Sequence, residues 1–150
     1  MFKKVFAAFL LVAVVISCVG CAATSATIRY TFKVDTGDNI EVKLNAKDNY
    51  NISATVPFEI TQNGDYIASG TFITASGYQD YYDAVHSDTE ATILDYGVKD
   101  GNSYIFWCYQ GGEWNYAILV SESTGVLLGS NVSEAAARDC FSRLTFEQKN

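Results

Sequence analysis

Residues 91–121 read ATILDYGVKDGNSYIFWCYQGGEWNYAILVS, and this stretch decides the fold. Three runs rich in β-branched and aromatic residues are separated by Asp100-Gly101 and Gly111-Gly112. Both dipeptides tolerate the positive φ of tight hairpin turns, so the stretch predicts an antiparallel meander over 91–98, 103–110 and 113–121. A two-residue loop at Gly111-Gly112 pairs Gln110 with Glu113. Tyr109 then faces Trp114, Trp107 faces Tyr116, and Ile105 faces Ile118. Side chains alternate along a strand, so these six share one face. The same logic at Asp100-Gly101 adds Tyr96 and Leu94. The opposite face carries Phe106, Cys108, Ala117 and Leu119. With both faces apolar, the hairpin reads as a central element covered on two sides.

Upstream of the meander, Ile28, Tyr30, Phe32 and Val34 alternate with polar residues, and Ile40, Val42 and Leu44 resume the pattern after the turn residues 36–39. That is a first hairpin. Residues 58–62 and 65–68 flank Asn63-Gly64, a second hairpin signal. Another strand is expected over 70–75, then a short helix over 77–86 carrying Tyr78, Tyr81, Tyr82 and Val85. Downstream, the apolar run 126–128 precedes a last helix. Asn131 and Glu134 form a capping box there, and Ala136, Ala137, Cys140, Phe141 and Leu144 share its apolar face. The class is α+β: an antiparallel sheet built from hairpins and a meander, with a C-terminal helix and one short internal helix packed on it.

The N-terminal segment MFKKVFAAFLLVAVVISCVGC carries an address. Lys3 and Lys4 form a positive leader, residues 6–16 are uncharged and apolar, and Ser17 directly precedes Cys18. This is the layout of an export signal, and the run is short for a membrane span. Val15-Ile16-Ser17-Cys18 resembles the lipobox of bacterial lipoproteins, which implies lipidation of Cys18 as the mature N-terminus. Cys21 is the alternative lipid site, and a plain signal cleaved near Ala22-Ala23 is the other reading. The organisation expected is a signal peptide at 1–17, a lipidated tether at 18–26 and a single domain at 27–150.

Removing the signal takes Lys3 and Lys4 and leaves 8 basic against 17 acidic residues, a net charge of −9. No basic run stands out in that remainder, so nucleic acid is not an expected partner, and anionic headgroups are expected to repel the domain. Attachment to the membrane then falls to the lipid. An exported compartment permits a disulfide, and a helix laid on the Phe106–Cys108 face would bring Cys140 near Cys108. The alternative is two buried thiols acting as small apolar residues.

Two groups of residues carry candidate chemistry. Trp107, Tyr109, Trp114 and Tyr116 form either a stacking platform for a sugar or peptide or part of the core, with Tyr109 and Trp114 nearest solvent. Asp80, Asp83 and His86 recur at intervals of three on the internal helix, a spacing open to a divalent cation or to a solvated acidic face. Asp35-Thr36-Gly37 resembles the aspartic-protease triplet, but Lys33 and Asp38 flank it where that chemistry wants apolar surroundings. No catalytic residue and no cofactor is indicated.

DTGDNIEVKL at 35–44, VPFEITQNGDYIASGTFIT at 56–74 and YIFWCYQGGEWNYAILV at 104–120, followed by a helix, resemble small exported lipoproteins of Gram-positive bacteria. The order of elements is also similar to the PsbP-type α/β sandwich. These resemblances imply an accessory or binding domain on the outer face of the cytoplasmic membrane, with a cell-wall ligand or envelope protein as partner. The two other expectations are a metal-dependent hydrolase using Asp80, Asp83 and His86, and a structural subunit of an envelope complex.

Overall fold

The computed structural model describes residues 26–150, together with the backbone of Val14–Ile16. The expectations for the rest of the signal, for lipidation at Cys18 or Cys21 and for residues 22–25 lie outside the described residues. The chain forms an antiparallel α+β fold in three layers. One sheet has the order β1 (Val14–Ile16), β2 (Thr27–Lys33), β3 (Asn39–Asn45), β11 (Leu144–Lys149). The other runs β4 (Tyr50–Ile52), β5 (Phe58–Gln62), β6 (Asp65–Thr74), β10 (Thr124–Ser130), β9 (Glu113–Leu119), β8 (Asn102–Tyr109), β7 (Ala91–Lys99). Helix α1 (Ala75–Ser87) covers one face of the large sheet, while the small sheet and α2 (Glu134–Ser142) cover the other.

The central strands explain this stack. Along β6 and β10, successive residues are buried, because Phe72, Val126 and Leu128 point to the small sheet while Ile73 and Leu127 point to α1. Such two-sided strands demand a cover on each face. In the larger core, Phe32 of β2 packs between Phe58 and Phe72, with ring centroids 6.0 and 5.3 Å away. Gly70 is required beneath this cluster, since a Cβ there would lie 2.3 Å from Phe58 Cζ and 2.5 Å from Leu128 Cδ2. Among the described residues, both cores are built between Ile28 and Phe146.

The turns at Asn63-Gly64 and Asp100-Gly101 form with the expected positive φ at all four residues. Several expectations are corrected. The segments 65–68 and 70–75 make a single long strand, β6, before α1 begins. The last helix is shorter than predicted: Ser133, not Asn131, caps it, its Oγ accepting from Ala136 N at 3.1 Å, and Glu134 instead pairs with Arg138. Leu144 leaves the helix and opens β11, an unpredicted strand that fills the edge of β3. Lys99 enforces this break by donating to the carbonyls of Phe141, Ser142 and Leu144 at the helix end.

The main correction concerns register. Tyr109 pairs with Glu113, Trp107 with Asn115 and Phe106 with Tyr116, because the turn holds Gln110, Gly111 and Gly112, one residue more than expected. Gly111 and Gly112 both adopt positive φ, and Gly112 N reaches back to Tyr109 O. A one-residue slip reverses every side chain. Ile105, Trp107 and Tyr109 therefore face α1, whereas Trp114, Tyr116 and Ile118 face the small sheet and α2. A bulge beside Leu94 likewise turns that residue to the larger core, although Tyr96 keeps its predicted partner, Ile105.

Candidate functional site

Reversal of the register divides the predicted aromatic platform into two structures. Tyr116, 5% exposed, is stacked on Tyr104 with centroids 5.1 Å apart and lies 5.3 Å from Phe141. Burial pushes its phenol well above the ordinary range, and no hydrogen-bond partner reaches its oxygen among the described residues. Trp114 is half-buried on this same side and packs against the larger core. These two are interior residues and interior wall.

Trp107 and Tyr109 belong to the other face, where α1 meets the large sheet. Thr74 caps α1, its Oγ1 accepting from Gly77 N at 3.0 Å. Positions 78, 81, 82 and 85 then fall on the inner side at helical spacing. Tyr78 and Val85 are buried, while Tyr81 and Tyr82 remain half-exposed. Trp107, 1% exposed, lies under Tyr81 with centroids 6.2 Å apart. Its indole N–H is the one neighbour that favours the Tyr109 phenolate, although no acceptor stands in hydrogen-bond geometry to it.

Tyr109 is the half-exposed member of this group with a charged surround. Burial raises its phenol, and the carboxylates of Asp88, Glu113 and Glu90 raise it further. Glu113 is its cross-strand partner, and Asp88 and Glu90 come from the connection between α1 and β7. Tyr81, raised chiefly by burial, senses Tyr109 as its next neighbour. Tyr81, Tyr82 and Tyr109 thus pack as half-buried phenols against the core under α1, with acidic groups around Tyr109. No Lys or Arg occurs between Asp48 and Val98. Tyr81 and Tyr82 were legible only as helix-face residues, since it is the strand register that brings Tyr109 to them.

Asp80, Asp83 and His86 do not converge. Steps of three residues advance about 300° around a helix, so two steps spread the groups over a wide arc. Asp83 accepts from Gln79 Nε2 at 2.9 Å, and His86 Nδ1 donates to Tyr82 O at 2.7 Å while its ring lies tilted against that of Tyr82 with centroids 4.3 Å apart. No group of three His, Cys, Asp or Glu side chains able to hold a metal ion occurs among the described residues.

Of the two readings left open for Cys108 and Cys140, this structure has both as free thiols. Phe106, not Cys108, meets the helix, in edge-on contact with Phe141 at 5.7 Å. Cys140 is buried in the larger core together with Tyr50 of β4, which lies at the opposite edge of the sheet from β8 and β7. Its thiol is pushed up to about 12 by burial.

In the first turn, Asp38 acts as a hub. Its Oδ2 accepts from Ser121 Oγ at 2.5 Å and from Thr124 Oγ1 at 2.7 Å, and its Oδ1 from Gln148 Nε2 at 2.9 Å. The Ser121 hydroxyl holds its carboxyl below the usual range, with Thr124 and Gln148 adding to the effect against desolvation. Asp38 thus ties the β2–β3 turn to the β9–β10 turn, a structural role.

The chain matches no family model, no curated protein and no solved structure. Among the described residues, no helix is long and apolar enough to cross a membrane.

Proposed function

We propose that this chain is an exported, lipid-anchored and non-enzymatic domain that binds a cationic segment of an envelope protein through the Tyr81–Tyr82–Tyr109 rim. The export signal and the Val-Ile-Ser-Cys18 frame support the anchor. The observation that carries the binding reading is Tyr109 itself, half-exposed beside Tyr81 and edged by Asp88, Glu90 and Glu113. Phenol faces attract ammonium and guanidinium groups, and carboxylates alongside strengthen that attraction. Flat, two-torsion side chains also give contact area at low entropic cost.

Tryptophan fluorescence tests the reading, because Trp107 lies directly under the rim. Titration of residues 26–150 with a short oligolysine or oligoarginine is expected to change the emission, and oligoglutamate is not. Tyr109→Ala is expected to weaken binding by roughly 5-fold, the value of one partly exposed cation–π contact. Trp114→Ala, on the opposite side of the sheet, should leave the affinity in place. Equal response to both peptides, or an unchanged affinity in Tyr109→Ala, would refute it.

A further inference from the structure

We infer that the outer face of the small sheet is a docking surface for anionic phospholipid headgroups, which holds the domain sheet-down on the membrane. The inference rests on the anchor proposed above and adds an orientation to it. The sequence shows no basic run, but pleating gathers one. Arg29 and Lys33 of β2, Lys43 of β3 and Lys149 of β11 all alternate outward from the core, so half of the 8 basic residues left after the signal share this face. Glu41 and Glu147 accompany them among its strands, so these strands sum to +2 in a domain of −9, with Asp35 beyond the end of β2 at the turn edge of the face.

The charges are also unevenly spent. Lys43 and Lys149 each contact both Glu41 and Glu147, at 2.7 to 3.3 Å. Arg29 and Lys33 enter none of these pairs among the described residues, so the positive excess of the strands lies along β2. The opposite layer carries Asp80, Asp83, Asp88 and Glu90. It stands about 20 Å away, two layer spacings. Screening acts over about 8 Å at physiological salt, so those carboxylates are barely felt at a surface in contact with β2.

The chain path agrees with the charge. The described domain begins at Ala26 and enters β2 directly. From Cys18 the tether extends roughly 30 Å at most, a length comparable with the domain's own diameter. In the mature protein the Val14–Ile16 segment that pairs with β2 leaves with the signal. β2 is then an edge strand, and outward Arg29 and Lys33 are the charges that keep such an edge from pairing with another chain.

The test uses residues 26–150 held by an N-terminal hexahistidine tag on vesicles containing a nickel-chelating lipid, so it does not depend on lipidation. A fluorophore is placed at Thr31→Cys on the small sheet or at Asp80→Cys on α1, in a Cys108→Ser background, with a quencher on the lipid headgroup. With phosphatidylglycerol present, the Thr31 site is expected to be quenched in preference to the Asp80 site. Two basic side chains at the surface favour that orientation by on the order of 30-fold. The preference should vanish in pure phosphatidylcholine, at about 1 M salt, and in the folded Arg29→Ala/Lys33→Ala variant. Equal quenching at both sites, indifference to phosphatidylglycerol, or self-association through β2 would overturn the inference. Failure of the anchor shows separately, as protein from cell membranes whose Cys18 carries no added lipid mass.

Discussion

Removal of the Asp38 carboxylate is expected to destabilise the fold more than any other single change at its surface. The carboxylate accepts three hydrogen bonds, from Ser121, Thr124 and Gln148. Thr124 Oγ1 has one proton and gives it to Asp38, so Thr36 Oγ1, 2.5 Å away, must donate to Thr124. Loss of the acceptor leaves the fully buried Thr124 hydroxyl with Thr36 as its remaining partner and breaks the link between the two sheets. Hydrogen bonds to a charged group are worth about 1.5–3 kcal/mol each. These terms overlap and Asp38 is partly solvated, so Asp38→Ala should lose about 3 kcal/mol in all. Asp38→Asn keeps one acceptor oxygen but turns an NH2 toward the donors, and should lose about 2 kcal/mol. Paired urea and thermal melts of residues 26–150 measure both. The pH dependence supplies a second check. The folded carboxyl lies below its ordinary 3.8, so its contribution is present above that value and is lost as pH falls through the lower folded one. The gap between wild type and Asp38→Asn should stay constant near neutrality and close in acid. A loss below about 0.5 kcal/mol, the ordinary scatter of surface changes, or a gap that widens in acid would refute the reasoning.

Three further outcomes follow from the packing. Gly70→Ala places a methyl where Phe58 and Leu128 already lie within 2.5 Å and should lower stability by about 1–3 kcal/mol, read from the urea midpoint. Arg143→Lys should cost about 1–2 kcal/mol, because only the fork reaches Asp48, Asp139 and the Lys47 carbonyl while its plane stacks 4.3 Å over Tyr50. In residues 26–150 without denaturant, an alkylating reagent should modify Cys108 and spare Cys140, whose thiol is buried and pushed up to about 12; mass spectrometry before and after unfolding decides this.

Most of the strands, two of the hairpin turns and the α+β class were legible because their signals are local. Asn63-Gly64 and Asp100-Gly101 tolerate the positive φ their turns require, and the alternation in 28–34 and 40–44 separates core from surface. The candidate site was legible only in part. Tyr81, Tyr82 and Tyr109 each stood out as aromatic residues, yet Tyr109 was grouped with Trp114 and Tyr116, which lie across the sheet from it. Two adjacent glycines fit a two-residue or a three-residue loop equally well, and local sequence does not choose between them. What chose was burial: the observed register places Trp107 under Tyr81 and Tyr116 against Phe141.

The sequence by itself determined the antiparallel character and the two-sided burial of the meander, since each follows from residue order over a short window. The tertiary structure alone decided the rest. It separated Cys108 from Cys140, made β11 a strand against β3, and made Asp38 the link between the sheets. It also collected Arg29, Lys33, Lys43 and Lys149 from three distant segments onto one face. Net charge is a sum over the chain, but a surface feels only the charges within a screening length of it, and strand pairing sets which those are.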